Sequence, residues 1–198
     1  MRLFRWLVFA GGCGPALWLG WLYAQGELGI FPEETLLHWT GQIGLVLLLI
    51  TLIWGFAWRF TGWVGFIATR RQVGLWAFWW LSAHLLIWLG WDQGWQWAWA
   101  LDEVRELLLL QLGLLGWLII LLLALTSPTH IRKAMPELAW KSLHRFIYPA
   151  TALGLWHLWI ATRLDYRLFT ILVLVFALLV AMRLIFLKPP SQNKGASD

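Results

Sequence analysis

Six apolar runs, each close to the length a lipid bilayer demands, divide this chain and leave it few folds to choose from. They fall at roughly 5–24, 38–58, 72–91, 108–126, 143–162 and 167–187, and a hydrocarbon core needs about 20 apolar residues per crossing helix. Inside a bilayer the main chain finds no water. Each crossing segment must therefore satisfy its own N–H and C=O groups, which a helix does. The expected fold is all-α, an integral membrane bundle of six transmembrane helices over residues 1–187. The polar, Pro-led tail at 188–198 carries little to bury and is expected to be disordered. Pro15 and Pro149 stand near helix ends or bends, where neighbours absorb a lost hydrogen bond.

Composition agrees with a chain whose solvent is lipid: 61% of residues are hydrophobic and 13% charged, against about 25% charged in a soluble domain. Trp is the extreme, 19 of 198 residues. Many gather where helices should leave the bilayer (Trp18, Trp21, Trp88, Trp91, Trp95, Trp97, Trp99), as an interfacial aromatic belt would. The net charge of +5 comes without a basic amphipathic stretch or aromatic interleaving, so nucleic acid is not an expected partner. The lone Cys13 excludes a disulfide framework, a thiolate cluster and a CxxC pair. Ala10-Gly11-Gly12-Cys13 reads as small-residue helix packing.

Charge bias sets an expected orientation. Of the 15 basic residues, 12 lie at the N-terminus, in the 59–71 and 127–142 connections with Arg145, and at the C-terminal end. The remaining connections hold only Arg105, Arg163 and Arg167, yet carry eight of the ten acids. The positive-inside rule then places both termini in the cytoplasm.

Two histidines lie inside apolar runs, where an ionisable side chain marks a functional site unless something satisfies it. His84 follows Arg71 by 13 residues and His157 follows Arg145 by 12, about 19 and 18 Å along a helix. Two imidazoles at matching depth on two helices form a candidate pair of axial ligands for one b-type heme. The alternative is a hydrogen-bonded histidine or one of a proton pathway. His144 lies about 20 Å lower and roughly 140° round a straight helix from His157. It is a candidate for a further heme ligand or an electron-path residue, and equally for a solvated interface residue. His38 and His130 read as interface residues. Arg70 and Arg71 most simply enforce topology, with a further role open toward a heme propionate, a flavin phosphate or a quinone headgroup.

No GxGxxG, Walker loop, HExxH or Ser/His/Asp arrangement is evident, so neither nicotinamide binding nor hydrolysis is indicated. Electrons passing through this chain would be delivered by something else. No internal repeat is evident either, and no carboxylate lies deep in a span. Both weigh against the rival reading, a small proton or ion transporter with a histidine relay.

The run from His38 to about Asp165 resembles the MsrQ (YedZ) family, the heme-binding membrane subunit of the bacterial protein-methionine-sulfoxide reductase system, in the ferric-reductase-like transmembrane group. The resemblance rests on HWTGQIGL at 38–45, TRRQVGLWAFWWLSAH at 69–84, LALTS at 123–127 and ELAWKSLHRFIYPATALGLWH at 137–157. It implies His84 and His157 as heme ligands, with His144 also functionally required. It further implies a multi-pass protein of the bacterial inner membrane, fed by the quinol pool or a cytoplasmic flavin reductase, with an FMN site attributed to the family. The implied acceptor is a periplasmic molybdopterin enzyme that reduces methionine sulfoxide in proteins. The chain would then be an electron-transfer subunit with no substrate-reducing site of its own. The resemblance also leaves a ferric-reductase or oxidase-like heme protein as an alternative. The family often follows its last ligand histidine with Tyr; here the run is His157-Leu158-Trp159, which removes any tyrosine role at that point.

Overall fold

The computed structural model describes residues 1–162 and 166–186. The expected disordered tail at 188–198 lies outside the described residues, as do Arg163 and Asp165. Among the described residues every regular element is helical: α1 (Arg2–Gln25), α2 (Pro32–Thr61), α3 (Val64–Ile87), α4 (Trp97–Glu106), α5 (Leu108–Leu125), α6 (Thr129–Ala134), α7 (Glu137–His144), α8 (Ile147–Ala161) and α9 (Arg167–Phe186). α3 continues into a π-helical turn, Trp88–Asp92.

Five helices are long and apolar enough to cross a membrane: α1, α2, α3 with its π turn, α5 and α9. The chain is a multi-pass membrane protein. Its surface carries large apolar side chains, Leu17, Leu118, Ile171, Leu174 and Leu178 among them, as expected where lipid replaces water. The core lies where α2, α3, α5, α8 and α9 converge, around Leu45, Leu49, Leu52, Ala77, Ile120 and Leu155.

Local chemistry sets the ends. Pro32 opens α2 with Glu33 and Glu34 in the first turn, and Gly62 closes it in the left-handed region (φ 68°), its N–H donating to Trp58 O. That pattern suits the helix dipole and the αL cap. α1 packs on α3 through its small-residue segment: Trp80 Nε1–H donates to Gly12 O at 2.9 Å. A Cβ on Gly12 would fall 2.3 Å from the Trp76 ring, so only glycine admits this approach.

The run expected to cross at 143–162 departs from one long helix. α7 ends at His144, the chain turns through Arg145 and Phe146, and α8 restarts as a 15-residue helix, about 22 Å long against a hydrocarbon core of about 30 Å. Pro149 explains the break. It has no N–H for the Arg145 carbonyl, which instead accepts from Tyr148 N–H at 3.1 Å. The proline then occupies the first turn of α8, where its missing donor costs nothing. The 92–107 connection is partly structured as well. Its helix α4 exposes Trp97, Trp99 and Leu101, and Gln93 contacts Glu103 across its base.

Hydrogen bonds collect the basic helix ends at one end of the bundle. Gln72 Nε2 donates to Arg5 O, joining the third turn of α3 to the start of α1. Arg59 Nη2 donates to Phe186 O, joining the ends of α2 and α9. Arg71 Nη1 reaches Thr129 Oγ1 on α6 at 3.2 Å.

Candidate metal centre

His84 belongs to the last turn of α3 and His157 to the last turns of α8, both toward the end of the bundle away from the basic cluster. Their rings face each other, with centroids 5.9 Å apart and planes at 88°. Each ring is fixed from behind by a helix it does not belong to. His84 Nδ1 lies 2.8 Å from Leu37 O on α2, and His157 Nδ1 lies 2.8 Å from Leu109 O on α5. A carbonyl only accepts, so in both rings Nδ1 carries the proton and donates. That leaves Nε2 of both imidazoles as lone-pair donors.

Glycines make these approaches possible. A Cβ on Gly41 would sit 2.9 Å from His84 Nδ1, and one on Gly113 would sit 2.8 Å from His157 Nδ1. Each glycine lies one helical turn beyond the carbonyl its histidine uses. Sequence reading missed these carbonyls and glycines. The available signal was a repeated pair of glycines three apart, Gly41/Gly44 and Gly113/Gly116, a small-residue pattern at helical spacing.

The donor set fits a heme. With a metal about 2.0 Å from each nitrogen, two imidazoles sharing one ion have centroids about 6 Å apart, close to the separation here. Among the described residues no group of three or more His, Cys, Asp or Glu side chains assembles. Two neutral imidazoles are the complement of a porphyrin iron, which needs only axial ligands. The hydrogen bond behind each ring is the usual outer support of a metal-bound histidine.

The other sequence candidates fall elsewhere. His144, at the end of α7, stacks on Trp140 with centroids 4.0 Å apart and planes at 28°. Its Nε2 lies 3.1 Å from Thr126 Oγ1 at the end of α5, and Arg132 lies over Trp140 at 5.0 Å. Arg70 turns inward, its Nε–H donating to Thr51 O at 3.1 Å and its guanidinium packing against Gly55. Nearby, Arg183 donates to Tyr148 OH at 3.0 Å. Among the described residues neither Arg70 nor Arg183 forms an ion pair with a carboxylate, unlike Arg105 with Asp102 and Lys141 with Glu137. Arg71 stays exposed. His38 bonds its own helix at Glu34 O, 2.7 Å away.

Comparison with known proteins matches residues 40–155 to the family described as ferric reductase like transmembrane component. The match runs from α2 to two residues before His157. Over 184 residues the chain is 32% identical to the protein-methionine-sulfoxide reductase heme-binding subunit MsrQ of Rhodospirillum rubrum, covering 93% of this chain and 88% of that protein. Over 177 residues it is 33% identical to the subunit of the same name from Caulobacter vibrioides, covering 89% and 84%.

Proposed function

The chain belongs to the MsrQ family within the ferric reductase like transmembrane group, and we propose that it carries electrons across a bacterial inner membrane through a b-type heme held by His84 and His157. The observation that carries this reading is the facing pair of imidazoles, 5.9 Å apart, each with Nδ1 bound to a carbonyl of a neighbouring helix. Heme, when bound, supplies a one-electron couple that no side chain here possesses. The chain's own part is to hold two neutral imidazoles in a set orientation, in apolar surroundings that exclude water.

In this reading α8, with α7 at the interface, completes six crossings, and both termini lie in the cytoplasm. The gathering of basic helix ends supports that orientation. It puts the histidine pair in the periplasmic half. Electrons come from the quinol pool or a cytoplasmic flavin reductase, with FMN as a candidate second cofactor on the cytoplasmic side. Arg71, with Arg132 and Lys133, faces the donor, and Arg70 holds an anionic group of the donor or flavin. Arg70 precedes His84 by 14 residues, about 21 Å along α3, too far for a propionate of a heme held there. His144, stacked on Trp140 at the same end, belongs to the donor-side path. The acceptor is a periplasmic molybdopterin methionine-sulfoxide reductase, in keeping with the name its relatives carry.

A reduced-minus-oxidised visible spectrum of the purified protein tests the reading directly. A low-spin b-heme spectrum is expected, and His84→Ala and His157→Ala should each abolish it, since one axial imidazole is lost. Full low-spin heme in both variants would refute the ligand assignment.

A further inference from the structure

The supports behind the two histidines form a matched pair. On α2 the Leu37 carbonyl accepts from His84 and Gly41, one turn on, opens the space; on α5 the Leu109 carbonyl accepts from His157 and Gly113 opens the space. The chain separations between carbonyl and histidine are 47 and 48 residues. The α2–α3 and α5–α8 pairs are thus two copies of one device, which six apolar runs of differing sequence conceal.

From this we propose that Gly41 and Gly113 are positioning residues that lock the two imidazole planes perpendicular and set the electron density at the iron. The proposal rests on His84 and His157 being the heme ligands. The physical argument has two parts. A ring pressed on a glycine and hydrogen-bonded one turn back cannot rotate about its Cβ–Cγ bond without losing that bond, so the 88° between planes is fixed by two helix backbones. A carbonyl accepting from Nδ1–H also makes Nε2 a stronger donor. Adding a methyl at either glycine places carbon within 3 Å of Nδ1 and pushes the ring off its carbonyl.

The two supports differ in one respect. The single Thr40 Oγ1–H is bifurcated between Leu36 O at 2.7 Å and Leu37 O at 3.0 Å, so the carbonyl behind His84 is shared with the longer arm of a hydroxyl hydrogen bond. The corresponding position before Gly113 is Leu112, which donates nothing. His84 is therefore the weaker donor to iron, and Thr40→Val, which frees the Leu37 carbonyl, should strengthen it.

The test uses the full-length, heme-loaded protein in detergent. Low-temperature electron paramagnetic resonance of the ferric state reads the angle between axial planes, and a redox titration reads ligand strength. The wild type should give the strongly anisotropic low-spin signal of perpendicular imidazoles. Gly41→Ala and Gly113→Ala should each move that signal toward lower anisotropy, raise the midpoint potential and reduce heme occupancy. Gly116→Ala is the control, because its Cβ would meet nothing closer than 3.6 Å, and it should leave all three unchanged. Thr40→Val should keep heme occupancy and lower the potential, a readout that survives if either glycine variant fails to fold.

A wild-type signal typical of parallel planes overturns the proposal. So do glycine variants with unaltered signal and potential, or a Thr40→Val potential equal to wild type. If His84→Ala or His157→Ala retains low-spin heme, the ligand reading fails and the proposal with it. Loss of heme in those two variants beside silent glycine variants removes the positioning claim alone.

Discussion

Successive residues of an α-helix point about 100° apart, and Arg70 and Arg71 illustrate the consequence for two adjacent cations near a membrane surface. Arg70 enters the bundle and bonds Thr51 O, while Arg71 stays outside and reaches Thr129. A half-buried guanidinium with no carboxylate partner retains donors for an anion, and hydrogen bonds to a charged group contribute about 1.5–3 kcal/mol. Arg70→Gln should therefore weaken FMN binding by about tenfold or more, measured by equilibrium dialysis of the purified protein. Arg71→Gln should leave FMN affinity unchanged, and instead slow reduction by a flavin reductase and flatten its ionic-strength dependence. Equal effects of the two substitutions on both measurements would return the pair to a topology signal. At this scale the sequence discloses the histidines, because an imidazole in an apolar run is conspicuous. It hides their partners, because Leu37 and Leu109 act through main-chain carbonyls and Gly41 and Gly113 act through a missing atom.

Helices were legible where apolar length alone decides, as in α1, α2, α3, α5 and α9. They were less legible where a single residue overrides the pattern. The 143–162 run is apolar enough for one helix, yet Pro149 denies the Arg145 carbonyl its partner and resets the start at Ile147. α4 was equally obscure, since its polar face and exposed tryptophans read as a loop with an interfacial belt. The break carries a prediction with a sign. At the first turn of α8 a proline costs the folded state nothing and restricts the unfolded chain, so Pro149→Ala should destabilise by about 0.4–1 kcal/mol. Inside one continuous helix the same substitution would instead stabilise, by up to about 3 kcal/mol. Thermal melting in detergent separates the two, and a raised Tm would mean that the 143–162 run is one helix in solution. His144 gains its meaning at this scale too. The break assigns it to α7, against Trp140 and Thr126, and not to the helix that carries His157.

For the whole molecule, direction follows from orientation, and orientation from where the basic ends collect. Arg5, Arg59, Arg71 and their partners share one end of the bundle, while His84 and His157 lie near the other. With the basic end in the cytoplasm, reporter fusions within Gly94–Asp102 should read as periplasmic and those within Ala134–Lys141 as cytoplasmic. A cytoplasmic reading for 94–102 would reverse the flow. Given that orientation, an electron reaching the histidine pair emerges beside short connections. The segment from 92 to 107 is one amphipathic helix with its flanks, and the segment from 26 to 31 joins α1 to α2. Neither is long enough to fold a catalytic domain, and in the proposed reading sulfoxide reduction falls to a second protein. The outer face offers it acids and the exposed Trp97 and Trp99, and aromatic side chains of this kind anchor interfaces as readily as membranes. Stopped-flow mixing of the reduced heme protein with a periplasmic molybdopterin methionine-sulfoxide reductase should show heme reoxidation at a rate rising with reductase concentration. Trp97→Ala with Trp99→Ala should lower that second-order rate several-fold without changing the heme spectrum. Reoxidation by ferric chelates or oxygen, with none by the reductase, would place the chain with ferric reductases or oxidases, because the electron would then leave to a small acceptor needing no docked partner.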